Sequence, residues 1–108
     1  MIGMLNGARR IMVVMHRLLQ HFRTALGFAN DANYPQAEAM LREVVADAAL
    51  SAEQQLEASA NGALGDLLIK MGRSQEAIPF LRATVKGQET NDDLANHARD
   101  LLRQLGDA

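Results

Sequence analysis

Cysteine and tryptophan are missing from this chain, tyrosine occurs once and proline twice. With no cysteine, disulfides, thiolate metal sites and a cysteine nucleophile are excluded, and a reducing compartment is permitted. Aromatic residues make up 4% of the chain against 48% hydrophobics, so the core has to be built from Leu, Ala, Met, Val and Ile. Alanine and leucine are strong helix formers, and strand-favouring Tyr, Trp and Thr are scarce, which predicts an all-α fold. Long apolar runs are lacking too. Ile11 to Met15 is the longest near the start, against about 18 residues for a membrane span and about 7–15 for the core of a signal peptide. No membrane span is expected, and a cytoplasmic location is.

Acidic residues are absent from the first 30 positions, which carry Arg9, Arg10, Arg17 and Arg23. Residues 31–108 hold seven basic and thirteen acidic side chains, so a +4 segment precedes one of −6 within a chain of net charge −2. Such asymmetry predicts electrostatic pairing within the fold or with a partner. A nucleic-acid domain is more often basic overall, so DNA or RNA is not the expected partner. The Arg-rich, acid-free start has one feature of a mitochondrial presequence, but it lacks serine.

At 108 residues the chain suits one domain with one core, and five helices can be read. The first runs from about Met4 to Ala29 and breaks at Asn30-Asp31-Ala32-Asn33. Pro35 suits the first turn of the second, where its missing N–H is not needed. Ala37, Met40, Leu41, Val44, Val45 and Ala48 then form a helical stripe. Ser51 with Gln54 reads as a capping box opening the third helix, which ends at Lys70 with Gly72 beyond. Ser74 is expected to cap the fourth helix, which stops at Gly87, and Asn91 the fifth, where Asp92 and Asp93 suit the positive end of the helix dipole. Two features run against continuous helices: Asn61-Gly62 is a turn signal within the third, and Pro79 lies inside the fourth.

The second and fourth helices align at Ala37 and Ala77. Each alanine is followed four residues later by leucine (Leu41, Leu81) and preceded by nine by a large residue (Phe28, Leu68). Three residues before those stand Ala25 and Gly65, so a small–large–small–large pattern recurs with a period of 40. Self-similarity of this kind marks a stacked array of helical hairpins. Leu64-Gly65-x-x-Leu68 and "MGRSQEAIPFL" resemble the tetratricopeptide repeat, whose pattern of about 34 residues reads W-x2-L-G-x2-Y, A-x3-F, P. The earlier copy puts Ala25 for the glycine, Phe28 for the tyrosine and "NYPQAEAML" for the turn and second helix. His21 and Asn61 stand where the family has tryptophan, and Ala49 and Glu89 where it has the terminal proline.

The resemblance implies a single domain over 1–108. Residues 4–17 form a helical extension, 18–50 and 51–90 the two repeats, and 91–106 a capping helix. Gly65 and Ala77 would be small where antiparallel helices cross, and Gly72 would turn the chain with positive φ. No phosphate-loop pattern follows a predicted strand, so packing rather than ligand binding accounts for these glycines. A hairpin stack offers a concave face lined by the first helix of each pair. In this register that face carries Leu19, Phe22, Arg23, Leu26 and Asn30, then Ser59, Gly62, Ala63, Asp66 and Lys70. The family's carboxylate clamp does not carry over, because Phe22, Leu26, Ser59 and Ala63 occupy several of its positions.

Chemistry-bearing clusters are thin. His16 and His21 lie about 140° apart around a helix and His97 stands alone, so no metal site is expected. Glu53 and Glu57 share a face with no histidine near them in the pattern, and no nucleophile–base pair is visible. The chain therefore reads as non-enzymatic, without cofactors. The expected function is protein–protein interaction, as an adaptor, co-chaperone or assembly factor that takes a peptide or helix in the groove. The alternative is a self-associating structural subunit of a larger complex, such as a secretion-system chaperone. A helical nucleic-acid binder using the four N-terminal arginines ranks third. Ile11 to Met15 is apolar on all sides, and such a helix wants burial on all sides. Residues 4–15 are thus expected to pack against a second copy or another protein, or else to fold back over the stack as an extra cap.

Overall fold

Three backbone turns of one design, set 20 residues apart, divide the chain. The computed structural model describes residues 2–87 and 93–106, with side chains from residue 12 onward. Helices α1 (Ile2–Asn30), α2 (Tyr34–Leu50), α3 (Gln54–Lys70), α4 (Ser74–Gly87) and α5 (Asp93–Gln104) follow in order, and no strand occurs among the described residues. At the end of α1 the N–H of Asn33 donates to Phe28 O and that of Ala32 to Ala29 O. Glu53 and Ala52 repeat this onto Ala48 and Ala49, and Arg73 and Gly72 onto Leu68 and Ile69. These crossed bonds satisfy the last carbonyls of a helix and require one left-handed residue. Ala32 (φ 60°), Ala52 (φ 57°) and Gly72 (φ 77°) occupy that position. Only the third is a glycine, so the first two turns carry a backbone conformation disfavoured for an L-residue.

This turn design displaces the Ser51–Gln54 capping box. Ser51 is the C-cap of α2, its N–H donating to Asp47 O, and Glu53 precedes α3 without a side-chain cap hydrogen bond. The left-handed turn uses residues 51–53, leaving Ser51 too far from the first turn of α3 to cap it. Asn61-Gly62 does not split α3, and Pro79 sits inside an unbroken α4. Asn91, Asp92 and Glu89 lie outside the described residues.

The helices form an all-α stack of two antiparallel hairpins, α1–α2 and α3–α4, closed by α5 against α4. The second hairpin packs on the first through α2 and α3, and α3 touches all four other helices. Consequently α3 buries residues around most of its circumference: Ala58, Ala60, Asn61, Gly62, Leu64, Gly65, Leu67 and Leu68. Ala25, Ala37 and Ala77 have no exposed surface, and with Leu41, Leu64, Leu68 and Leu81 they make the core. Full burial of each of these leucines stabilises the fold by about 1.5–3 kcal/mol.

Close approach explains two glycines. A β-carbon on Gly65 would stand 2.6 Å from Cδ2 and 2.8 Å from Cγ of Leu81. One on Gly62 would stand 3.1 Å from Leu94 Cδ1 and 3.3 Å from Thr84 Oγ1, where α4 and α5 both meet α3. The buried Thr84 hydroxyl lies 3.0 Å from Ala58 O and 3.2 Å from Phe80 O, within donating reach of either, so it can tie α4 to α3.

Charge pairing adds a second tie. Arg73, in the α3–α4 turn, pairs with Glu38 of α2 at 2.7 Å and Glu76 of α4 at 2.5 Å, and Glu38 also takes Arg42 at 2.9 Å. The Arg42 guanidinium lies 5.2 Å from the Phe80 ring centre, linking α2 to α4. Arg73 holds the Glu38 carboxyl below its ordinary range, with Arg42 adding to the effect, and it does the same to Glu76.

Two stability measurements check this packing. Gly65→Val forces a branched side chain against Leu81 and is expected to cost about 2 kcal/mol or more in urea unfolding. Gly27→Ala on α1, with nothing within 4 Å of an added β-carbon, is expected to gain about 0.5–1 kcal/mol. Similar values for the two substitutions would contradict the α3–α4 contact. Ala52→Gly relieves the left-handed strain and is expected to raise stability by about 0.5–1 kcal/mol. A loss there would contradict the turn.

Candidate protein-docking surface

Helix α1 has 29 residues and α2 has 17, about 43 Å against about 25 Å at 1.5 Å per residue. One helix therefore outruns its partner by about 18 Å, in a molecule whose longest dimension is 53 Å. From residue 12 onward the first buried side chain is Leu18, 3% exposed. Upstream of it Met12 is 70% and Val13 57% exposed, and Val14 and Met15 are exposed as well.

Two apolar seams run along α1, each stepping by three and four residues. Val14, Leu18, His21, Ala25 and Phe28 make the first. It faces α2, with Leu18 and Ala25 buried and Val14, Leu18 and His21 lining a shallow cleft beside Asp47 and Leu50. Met12, Met15, Leu19, Phe22 and Leu26 make the second, gathered within an arc of about 80°. Phe22 is half-buried against the core, and the other four are exposed. A 3.5-residue apolar repeat is the pattern of a helix that packs lengthwise against another helix. The second seam has no such helix among the described residues.

The groove residues read from the sequence divide between two helices in contact, α1 and α3. On α1, Leu19, Arg23, Leu26 and Asn30 are exposed and Phe22 half-buried. On α3, Ser59 and Ala63 are half-buried, Gly62 is buried, and Lys70 is exposed. Asp66 is engaged: His97 Nε2 of α5 lies 3.2 Å from both carboxylate oxygens. The α1 half of the surface is thus open, while on the α3 half Leu94 and Thr84 lie against Gly62 and His97 engages Asp66. Met12 and Met15 extend the open half beyond the predicted groove. Their three–four step to Leu19, Phe22 and Leu26 is the signal in the sequence that shows the continuity.

Arg23, a fixed cation, and His16 lie along one edge of the seam, and Lys70 stands exposed on α3. Arg17 and Arg23 form no ion pair among the described residues, and His16 accepts only a hydrogen bond from the Gln20 amide at 3.2 Å. No acid lies within residues 1–30, and Asp66, the acid on this face of α3, lies within hydrogen-bond distance of His97 Nε2.

Among the described residues no three His, Asp or Glu side chains converge to hold a metal ion, and no helix is long and apolar enough to cross a membrane. Comparison with known proteins finds no matching family model, no matching curated protein and no matching solved structure.

Neighbouring leucines test the geometry of α1. Leu18→Glu buries a charge and is expected to destabilise by more than about 3 kcal/mol. Leu19→Glu, on the exposed seam, is expected to stay within about 1 kcal/mol of the unmodified chain. Thermal unfolding of both checks this, and equal destabilisation would contradict the two-seam reading.

Proposed function

We propose that this chain is a non-catalytic protein-interaction module, a divergent hairpin stack of the tetratricopeptide kind that serves as an adaptor, co-chaperone or assembly factor. The observation that carries this is the uncovered seam of Met12, Met15, Leu19 and Leu26 beside a core that is otherwise closed. Scattered apolar side chains are ordinary on a protein surface, but a contiguous helical stripe marks a binding site. Methionine suits that role, since its flexible, polarizable side chain adapts to partners of different shape. A peptide or helix seated along α1 would bury the stripe, with Arg23, Asn30 and Lys70 meeting polar groups at its edges.

Self-association is the second reading, favoured by the exposure of Met12 to Met15 on the overhanging part of α1. It would make the chain a structural subunit.

Selection from an unbiased peptide display library tests the proposal. The full chain is expected to enrich peptides that share an apolar stripe, and Leu19→Glu and Leu26→Glu are expected to lose them while retaining the helical circular dichroism of the parent. Enrichment of nothing, or equal binding by both variants, would overturn the proposed surface.

A further inference from the structure

The seam also bears on the kind of partner, an inference that rests on the interaction reading above. The stripe runs lengthwise along α1 from Met12 to Leu26, and side-by-side packing of two helices through such stripes is the arrangement that covers it along its whole length. Its electrostatics narrow the choice further. Arg23 borders one edge of the stripe as a fixed cation, residues 1–30 hold no acid, and Asp66 on α3 has His97 Nε2 at 3.2 Å from both its oxygens.

We propose that the open seam of α1 takes an amphipathic helix from another protein, one with an apolar stripe of 3.5-residue period flanked by aspartate and glutamate.

A second copy of the chain is a poorer occupant on two grounds. Pairing α1 with α1 offers Arg23 no carboxylate in either direction, because residues 1–30 hold no acid. Elsewhere among the described residues the exposed large apolar side chains reduce to Leu50. No other helix of a second copy therefore offers both acids and a stripe. A partner helix with acids at its edges meets neither obstacle. Its carboxylates would face Arg23, a cation without an ion pair among the described residues.

The test uses the full chain and three synthetic helical peptides of about four heptads. One has leucine at the seam positions and glutamate at the flanks; the second has lysine at the flanks; the third has the acidic composition with its leucines scrambled. Fluorescence anisotropy is expected to show the acidic peptide binding at least about tenfold more tightly than the basic one, with affinity falling as salt rises. Scrambling is expected to abolish binding. Arg23→Glu should cost about tenfold with the acidic peptide and improve the basic one, while Lys86→Glu, on exposed α4 surface, should change neither. Circular dichroism and light scattering on each variant confirm that it folds and give its mass.

Equal binding of acidic and basic peptides, or indifference to Arg23→Glu, would overturn the inference. So would a dimer in light scattering that Leu19→Glu disperses, since a second copy would then cover the seam. If the acidic peptide fails while library peptides bind in a Leu19-dependent manner, this inference falls and the interaction function stands. If neither binds, both fall.

Discussion

Leu81 stands where a side chain on Gly65 would go, and the stack depends on that approach. It lets α4 settle directly onto α3, and the fully buried Ala25, Ala37 and Ala77 play the same part in the rest of the core. Small residues at a crossing bring helix axes to the near end of the usual 8–10 Å range, so that flanking leucines interdigitate. Because α3 meets every other helix, it carries apolar residues on most sides instead of one clean stripe. The buried pair Asn61 and Gly62 belongs to this arrangement. A turn signal in isolation, it is overridden by the converging Thr84 and Leu94, which leave room for a glycine and little more.

Much of this was legible in the residues. The alternation of small and large positions around Ala37 and Ala77 identified the two hairpins, and Gly72 marked a turn by its lack of a β-carbon. The other two turns were harder to see because alanine holds the left-handed position in both. Nothing in the local sequence of Ala32 or Ala52 announces a positive φ; the crossed hydrogen bonds to Phe28 and Ala48 impose it. Ser51 misled for a related reason. Its spacing to Gln54 satisfies a capping pattern, but the preceding turn uses the same residues first.

The candidate surface was legible in part. Leu19, Phe22, Arg23 and Leu26 could be placed on one side of α1 from the repeat register, yet the same register assigned an equal share to α3. Contacts distant in sequence add what the register lacks, since His97 reaches Asp66 from α5 and Leu94 lies against Gly62. Pairing at such separations leaves no mark in a local pattern. The continuation to Met12 and Met15 was present as spacing but was obscured by Val13 and Val14, which make the stretch read as uniformly apolar. From Leu18 onward burial separates the two seams, with Leu18 and Ala25 buried against α2 and Leu19 and Leu26 exposed, while Met12 to Met15 are exposed on every side.

Solvent accessibility of individual methyl groups tests the central claim most directly. With methionine and leucine methyls labelled for NMR and a soluble paramagnetic agent added, the open Leu50 is expected to relax fastest, and Met12, Met15, Leu19 and Leu26 well above the buried leucines. Leu41, Leu64, Leu68 and Leu81 should be protected. Protection of the first group to the level of the second, in the free monomer, would mean that the seam is already covered and would contradict the account.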